Sequence, residues 1–254
     1  MPSVLITGAN GFIGSNLCRH FLDRGWEVHG LVRPTSDLHF LEGLPVRLIA
    51  GDLLEAVAIG FPRRVDAIIH SASVVSDIVG LAWSIRGIYD PTVRFVEALR
   101  AAGVSFDRFV YISTTLVLGW HGFNISEENP GRPTDRIPYA QAKRKTEQFL
   151  LEEHRRHGLP AVILRPADVY GPNDRTSLAM MLEGIEGGIS PIVGTGRHRF
   201  SYCYVDNLCQ ACRLVAEGKG STGTAYTVTD GVDLTWGQFF GGLDQLGGVH
   251  LPDQ

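Results

Sequence analysis

Residues 4–14 constrain the fold of this chain more than any other stretch. They begin with a short apolar run, Val4-Leu5-Ile6, and the glycines Gly8, Gly11 and Gly14 follow at intervals of three. A continuous apolar run is typical of a strand buried inside a parallel sheet. Apolar residues at helical spacing come next. The pattern therefore predicts a strand, a tight turn and a helix in direct succession.

Each glycine of this turn has its own predicted task. Gly8 allows the tight turn, Gly11 lets a pyrophosphate approach the backbone, and Gly14 lets the helix pack close to the sheet. The helix N-terminus offers free N–H groups and a partial positive charge, which adds Phe12 and Ile13 to the expected cofactor contacts. Turn glycines without a ligand are the alternative, but the order strand, glycines, helix favours a dinucleotide site.

Composition narrows the class of protein. The 254 residues can bury one large core, alone or with a small lobe. A net charge of −4 without a long basic run argues against a nucleic-acid or anionic-membrane partner. No leader pattern and no apolar run of about 18 residues occurs, so we expect a cytoplasmic protein with no membrane partner.

Cysteine and histidine usage points away from a metal. The four cysteines do not form a dense disulfide framework, and Cys209-x-x-Cys212 lies in a predicted helix, 206–217, where the two share a face. We interpret them as small buried apolar residues rather than redox groups or ligands. Because the nine histidines show no ligand spacing, we predict no metal site.

Strand and helix patterns alternate along the chain. After the first unit, strands are predicted at 27–32, 46–50, 65–69, 108–112 and 224–229, and helices at 91–102, from Pro138, at 206–217 and after Thr235. This alternation predicts an α/β fold, a Rossmann-type doubly wound parallel sheet. We expect an NAD(P)-binding domain of residues 1–172 plus 201–229 and a small substrate-facing lobe of 173–200 plus 230–254.

Arg33 bears on the choice of cofactor. It lies about 20 positions past the glycine turn, beside the expected adenosine ribose. A planar cation there can pair with a 2′-phosphate, whereas an acid would bind the 2′-hydroxyl. The sequence thus favours NADP(H) over NAD(H), the alternative being a solvated arginine at a strand end.

Further cofactor contacts are expected where other strands end. Asp52, followed by Leu53, could accept a hydrogen bond from the adenine amine. Ser71, Ala72 and Ser73 are small residues just past a strand, which suits a backbone lying against a cofactor. We interpret His70, directly before them, as structural rather than catalytic.

Tyr139 and Lys143 carry the predicted chemistry. Their spacing of four places them on one helical face. A free tyrosine has a pKa near ~10, and an adjacent ammonium favours the phenolate and lowers that value. The hydroxyl of Thr114, at a strand end, could hold a substrate oxygen while Tyr139 exchanges its proton. Hydride transfer between a secondary alcohol and a nicotinamide requires this arrangement.

Motifs in family order strengthen this interpretation. They are Thr7-Gly8-x-x-Gly11-x-x-Gly14, Gly51-Asp52-Leu53, His70-x-Ala72-Ser73, Ser113-Thr114 with Gly119, Tyr139-x-x-x-Lys143, Arg165-Pro166-x-x-Val169-Tyr170-Gly171-Pro172 and Tyr204-Val205-Asp206-Asn207-Leu208. With them the chain resembles the extended short-chain dehydrogenase/reductase family, the NAD-dependent epimerase/dehydratase group. The resemblance implies a triad of Thr114, Tyr139 and Lys143, with Lys143 also holding the nicotinamide ribose. It also places Pro166 and Val169 near the nicotinamide and substrate.

Three features depart from the family pattern. Ile88 stands where the family has an asparagine that helps to position the lysine. Asp168 stands where sugar-nucleotide enzymes commonly have an asparagine near the substrate diphosphate, which a carboxylate would repel. Family members usually run longer than 254 residues, so we expect a truncated or compact form with an incomplete lobe.

Two substrate classes remain open. Arg197 and Arg199 could clamp a diphosphate, as in sugar-nucleotide epimerases and dehydratases. Residues 32–36 and 204–208 look more like the 3β-hydroxysteroid dehydrogenase and dihydroflavonol reductase branches, whose substrates are apolar ring alcohols or ketones. We favour a small-molecule hydroxyl or keto substrate, with Thr115 and Asp168 as further contacts. A non-catalytic NAD(P)-binding protein is a third alternative.

The apolar helix faces at 91–102 and 138–152 bear on assembly. Such faces could pair across a two-fold axis into a four-helix bundle, as the resemblance implies. We therefore expect a homodimer.

Overall fold

A computed structural model of the chain describes residues 1–74, 80–119, 125–131, 136–175, 177–186, 192, 194–232 and 234–245. The strands are β1 (Ser3–Thr7), β2 (Glu27–Val32), β3 (Arg47–Ala50), β4 (Ala67–His70), β5 (Arg108–Ile112), β6 (Ala161–Pro166), β7 (Asp168–Tyr170), β8 (Arg199–Phe200), β9 (Tyr202–Tyr204), β10 (Thr224–Val228) and β11 (Leu234–Thr235). The helices are α1 (Phe12–Leu22), α2 (Leu81–Ser84), α3 (Asp90–Ala101), α4 (Pro138–His157), α5 (Ser177–Glu186), α6 (Val205–Ala216) and α7 (Trp236–Gln245).

Seven strands form one parallel sheet in the order β10-β6-β5-β4-β1-β2-β3. The strand order changes direction between β1 and β4, and ligands of open α/β sheets bind in the crevice at such a switch point. Gly8 follows β1, and Ser71 follows β4. The sheet therefore brings the glycine turn and the small residues after β4 to one crevice.

The core lies on both faces of this sheet. One face packs under α1 and α6, with Leu17, Phe21 and Leu208 fully buried. The other packs under α3 and α4, with Phe95 and Leu150 fully buried. Helices on both faces and apolar central strands are what a doubly wound parallel sheet requires, so the predicted fold class is confirmed.

Element bounds differ from the predicted ones by small amounts. β2 and β5 have their predicted bounds, while the predicted strands 46–50, 65–69 and 224–229 shift at their ends by one or two residues. One central strand, β6, was not predicted as a strand. The chain also forms a π-helical turn at Ile85–Tyr89, directly before α3, which no sequence pattern indicated.

Two short ladders lie outside the main sheet, one between the two segments expected to form the small lobe and one within the expected cofactor domain. β8 pairs with β11 in antiparallel fashion, and β7 pairs with β9 in parallel. Thr235 caps α7, because its hydroxyl accepts from the Gln238 N–H at 3.2 Å and the Gln238 side chain accepts from the Thr235 N–H at 2.9 Å. This reciprocal capping box fixes the start of the helix. Residues 187–191, 193 and 246–254 of the expected lobe lie outside the described residues.

Candidate functional site

The glycine turn is built by close backbone packing. Gly8 has a φ of 66°, a left-handed conformation that favours glycine. A Cβ at Gly14 would lie 2.0 Å from the Gly8 carbonyl oxygen, and a Cβ at Gly8 would lie 2.9 Å from the Ala72 Cα. Gly8 therefore packs against the loop after β4, and Gly14 packs against the turn. Larger residues at either position would force the crevice apart.

The N-terminus of α1 fits a phosphate group. Gly11 is its N-cap residue and has no side chain to bond the first N–H groups, and the first turn contains no acidic residue. Helix N-terminal N–H groups bind anions when no side chain caps them. Gly11, Phe12, Ile13 and Gly14 are therefore placed to hold the pyrophosphate of a dinucleotide.

The ends of β4 and β5 present small polar groups to the same crevice. Ser71 donates to the Thr7 carbonyl at 2.6 Å, and the Ala72 N–H donates to the Thr7 hydroxyl at 3.1 Å. The hydroxyls of Ser73 and Ser113 are buried and have no hydrogen-bond partner within the described part of the chain. Buried hydroxyls usually have partners, so these two fit a polar ligand such as a dinucleotide.

His70 is held in a buried chain of hydrogen bonds. Its Nδ1 lies 2.8 Å from the Thr7 hydroxyl and its Nε2 lies 2.9 Å from the Thr92 hydroxyl. Thr92 donates its own proton to the Ile88 carbonyl, so its oxygen accepts from His70 Nε2–H. Thr7 then donates to Nδ1, and the ring is neutral. Burial lowers the pKa of His70 to about 3, in agreement with a neutral ring. Both ring nitrogens are bonded within the core, as expected of a structural histidine.

Lys143 lies at the carboxyl end of β5. Its side chain is buried with 2% exposure, and Nζ donates to the Ile112 carbonyl at 2.8 Å. Nζ also lies 5.7 Å from the centre of the Tyr139 ring, so the two side chains share the predicted helix face. Thr114 lies two residues after Ile112 in the sequence, and its hydroxyl accepts from the Leu116 N–H at 3.3 Å. The structure thus places Thr114, Tyr139 and Lys143 around the end of β5.

A buried carboxylate supports this lysine. Burial lowers the pKa of Lys143 to about 7, and the negative charge of Glu147 opposes that shift. Glu147 is itself paired with Arg165 of β6 through two hydrogen bonds of 3.0 and 2.6 Å. Sequence reasoning missed Glu147, although its position one helical turn after Lys143 was a usable signal.

Ile88 does not supply the amide that the family resemblance led us to look for. Its side chain is buried, and only its backbone carbonyl takes part in the hydrogen bond from Thr92. The π-helical turn places it directly before α3. Lys143 is anchored instead by the Ile112 carbonyl.

The residues expected around the adenosine lie along the ends of β2 and β3. Arg33 is exposed and forms no ion pair with any acidic group that the structure describes. The Asp52 carboxylate accepts from the Leu54 N–H at 2.8 Å and so caps a short 3₁₀ helix, while Leu53 is buried. One oxygen of Asp52 is thus already used within the chain.

Residues 171–175 form a strap that sequence reasoning missed. The Pro172 carbonyl accepts from the Asn16 side chain at 2.8 Å, and Asn173, at a φ of 71°, donates to the Ser15 hydroxyl at 3.1 Å. Arg175 stacks on Phe40 and pairs with Asp37 at 3.8 Å. The strap therefore docks on the first turns of α1, beside the glycine turn.

A small apolar cavity of about 20 Å³ lies among β7, α5, β8, β9 and α7. It is lined by Asp168, Val169, Tyr170, Met181, Phe200, Tyr202, Trp236, Phe239 and Phe240. Pro166, at the end of β6, is buried just before this lining. Arg197 and Arg199 are exposed and do not line the cavity, and Thr115 begins a 3₁₀ turn after β5. Asp168 and Val169 thus belong to the lining of this cavity, and Arg197 and Arg199 do not.

None of the helices described by the structure is long and apolar enough to span a lipid bilayer.

The fold and crevice define a Rossmann-type α/β protein with a dinucleotide turn at its switch point. The chain belongs to the NAD dependent epimerase/dehydratase family, whose sequence model matches residues 4–229. The resemblance inferred from the motifs is thereby confirmed.

Known relatives include several kinds of enzyme. A 3-beta-hydroxysteroid dehydrogenase from Mycolicibacterium neoaurum is 30% identical over 98% of this chain and 71% of its own length. A dTDP-glucose 4,6-dehydratase from Streptomyces niveus is 32% identical over 91% of this chain and 74% of its own. A dTDP-glucose 4,6-dehydratase from Streptomyces venezuelae, solved with NAD bound, superposes with a TM-score of 0.80 at 28% identity, covering 96% and 81%. This chain is therefore an enzyme of an NAD-binding family, which sets aside the non-catalytic alternative.

Proposed function

We propose that this enzyme interconverts a secondary alcohol and a ketone by NAD(P)-dependent hydride transfer, with Tyr139 as the acid/base. The observation that carries the proposal is the placement of Lys143, buried, bonded to the Ile112 carbonyl and 5.7 Å from the Tyr139 ring. A buried cation beside a phenol favours the phenolate, as a general base near neutral pH requires.

Each residue of the triad has a separate proposed role. A nicotinamide cofactor bound in the crevice would supply or accept the hydride. Thr114 holds the substrate oxygen, and Tyr139 gives or takes the proton at that oxygen. Lys143 supports the phenolate and binds the nicotinamide ribose. Gly8, Gly11 and Gly14 admit the pyrophosphate, while the residues after β4 and β6, namely Ser71, Ala72, Ser73, Pro166 and Val169, border the rest of the cofactor.

The cavity lining supports an apolar substrate over a sugar nucleotide. Aromatic side chains dominate it, and among the described residues its one charged group is the Asp168 carboxylate. A diphosphate would be repelled by that carboxylate and would need cations close by. Arg197 and Arg199 do not line the cavity. A sugar nucleotide remains the second candidate, and binding assays with nucleotide sugars and ring alcohols test the two directly.

Replacing Tyr139 with phenylalanine tests the mechanism. We expect turnover to fall by about 10²–10⁴-fold, the range that a positioned acid/base contributes, while cofactor affinity stays within about twofold. Tyr226→Phe is the matched control, because it removes a hydroxyl that accepts from the Ser221 N–H on the edge strand β10. Unchanged turnover in Tyr139→Phe would rule out the proposed mechanism.

We also propose that NADP(H) is the preferred cofactor. Arg33 is exposed at the end of β2 and has no acidic partner among the described residues, so its cation is available to a 2′-phosphate. Arg33→Ala should weaken NADPH binding by about 10–100-fold, since hydrogen bonds to charged groups contribute ~1.5–3 kcal/mol. NADH binding should hardly change. Equal loss for both cofactors would contradict the role.

A homodimer paired through α3 and α4 completes the proposal. Tyr89 and Phe149 pack edge to face beside these helices at 6.0 Å, and both are only partly buried in the single chain. Sedimentation analysis at micromolar concentration tests the assembly. A cytoplasmic location stays a prediction.

A further inference from the structure

Three potential ligand groups meet between α1 and α6. His20 lies on α1, and Asp206 and Cys209 lie one turn apart on α6. The His20 Nδ1 is 3.2 Å from an Asp206 oxygen. One donor atom from each of the three residues lies within 4.8 Å of the other two. Two helices far apart in sequence supply them, so a search for ligand spacing along the chain could not find the group.

The burial of the group suits a bound cation reached from solvent. His20 and Cys209 are buried, whereas the Asp206 side chain is 67% exposed. The Nε2 of His20 is buried and has no hydrogen-bond partner in the described structure. Because Nδ1 is the ring nitrogen that faces Asp206, it is the one that can offer a lone pair to a cation between the two residues.

We propose that His20, Asp206 and Cys209 bind one divalent transition-metal ion of the Zn²⁺ class. Imidazole nitrogen, thiolate sulfur and carboxylate oxygen are the ligands that Zn²⁺ prefers, at about 2.0–2.3 Å. The observed separation of His20 and Asp206 already matches neighbouring corners of a tetrahedron with such bonds. Water occupies the fourth position, on the exposed side.

The protonation states of the ligands fit this assignment. Burial lowers the pKa of His20, so the imidazole is neutral and has a lone pair available at pH 7. Burial raises the pKa of the Cys209 thiol, so the metal must displace its proton into solvent as the metal–sulfur bond forms.

Neighbouring charges moderate the site without blocking it. Arg213 is paired with Glu217, and Arg24 donates to the His20 carbonyl at 3.1 Å. Both arginines disfavour positive charge at His20, while the Asp206 carboxylate favours it.

The bound ion would act as a brace. It would join the last turn of α1 to the first turns of α6, on the face of the sheet opposite α4. Its proposed effect is on stability rather than on the chemical step, so the proposed metal site can be tested independently of the proposed oxidoreductase activity.

Cobalt and zinc titrations of the intact, chelator-treated protein test the site. We expect one equivalent of Co²⁺ to give the absorption of a tetrahedral complex and a sulfur-to-cobalt charge-transfer band. Zn²⁺ should displace the cobalt and raise the melting temperature. No saturable binding, or a cobalt spectrum without the sulfur band, would overturn the proposal.

Variants identify the ligands. Cys209→Ser should abolish the sulfur band. Asp206→Asn and His20→Gln should each weaken zinc binding by at least about tenfold, because loss of a residue that merely supports a metal ligand already costs about that much. Cys212→Ser is the matched control, since this fully buried thiol lies one turn further along α6 and outside the group. If Cys209→Ser fails to fold, the exposed Asp206→Asn decides. Equal binding in Asp206→Asn and the unmodified chain, or equal loss in Cys212→Ser, would contradict the assignment.

Discussion

His70 connects three parts of the crevice at the scale of a single residue. Its bonds to Thr7 and Thr92 join the end of β1 to α3, and Thr7 also accepts from the Ala72 N–H. Because Gly8 packs against Ala72, this chain of bonds fixes the walls on both sides of the glycine turn. A neutral histidine suits the position, since each ring nitrogen has a different role.

We predict that this histidine makes the protein sensitive to acid. The folded chain keeps His70 neutral down to about pH 3, whereas in the unfolded chain it gains a proton below about 6.5. The unfolded state therefore binds more protons than the folded state between these pH values. The contribution of His70 to the unfolding free energy falls as the pH falls from 6.5 to 3. The slope should approach ~1.4 kcal/mol per pH unit.

Urea unfolding across this pH range measures the effect. Subtracting the pH profile of His70→Asn from that of the unmodified chain isolates the contribution of His70 from the carboxylates. His39→Asn removes an exposed histidine and should leave the slope unchanged. Parallel profiles for His70→Asn and the unmodified chain would disprove the prediction.

Site residues could be predicted from the sequence where the residues that act together lie within a few positions of one another. Tyr139 and Lys143 share one helix face, and Gly8 and Gly14 share one turn, so spacing alone placed them. Thr92 and Glu147 lie on helices, and their hydrogen-bond partners, His70 and Arg165, lie on strands. Such contacts depend on the order of the strands in the sheet. Sequence spacing contains no record of that order.

At the scale of elements, α4 is the helix on which the chemistry depends. Pro138 begins it in the first turn, where a missing N–H costs nothing, and Gly158 ends it at a φ of 70°. Four basic residues fill its last turn, where they complement the helix dipole. The register that these ends define turns Lys143 and Glu147 toward the sheet.

The pair of Glu147 and Arg165 fastens α4 to β6. The Glu147 side chain is 4% exposed and that of Arg165 is 15% exposed, so removing one charge leaves the other largely buried. We predict that Glu147→Gln lowers the unfolding free energy by about 3–5 kcal/mol. It should also lower the pKa of Lys143 further, because the favourable charge of Glu147 is lost.

Glu152→Gln is the control on the same helix. Glu152 pairs with Arg155 and Arg156 at the surface, and exposed pairs contribute about 0–1 kcal/mol. Chemical denaturation of both variants gives the comparison. A loss below about 1 kcal/mol for Glu147→Gln would mean that the buried pair does not hold the helix.

Elements were predictable in proportion to their length and regularity. β1 and β5 are buried on both faces and show as continuous apolar runs. The pairing of β8 with β11 involves two residues on each strand, too few for any period. The π-helical turn before α3 contains Ile88, which is buried in the core. The spacing of apolar residues in the sequence does not distinguish a π-helical turn from a turn of ordinary α-helix.

At the scale of the whole molecule, we propose that residues 1–172 plus 201–229 form the cofactor domain and that the remaining segments form a smaller lobe. The sheet and both of its core layers belong to the first part. The second part attaches through aromatic contacts, chiefly Tyr202 on Phe239, whose rings stack 3.8 Å apart. Its β8–β11 ladder is separate from the main sheet.

This division predicts different outcomes for two phenylalanines that are equally buried. Phe240 of α7 packs on Trp236 and Phe239, and Phe95 of α3 packs on His70 and Phe109. Either change to alanine should lower the unfolding free energy of the part of the chain that contains it, the lobe or the cofactor domain, by about 3–5 kcal/mol. Phe240→Ala should therefore speed hydrogen exchange at residues 234–245 while exchange in β1 and β5, and cofactor affinity, stay unchanged.

Phe95→Ala should act on the whole chain instead. Its ring touches the side chains that fix the glycine turn, so its loss should speed exchange in β1, β4 and β5 together and weaken cofactor binding. Hydrogen-exchange mass spectrometry on the two variants, read segment by segment, separates the outcomes. If Phe240→Ala raised exchange in β1 as much as in α7, the small lobe and the cofactor domain would unfold as one unit, and the cavity between the aromatic rings could not change shape without the cofactor site.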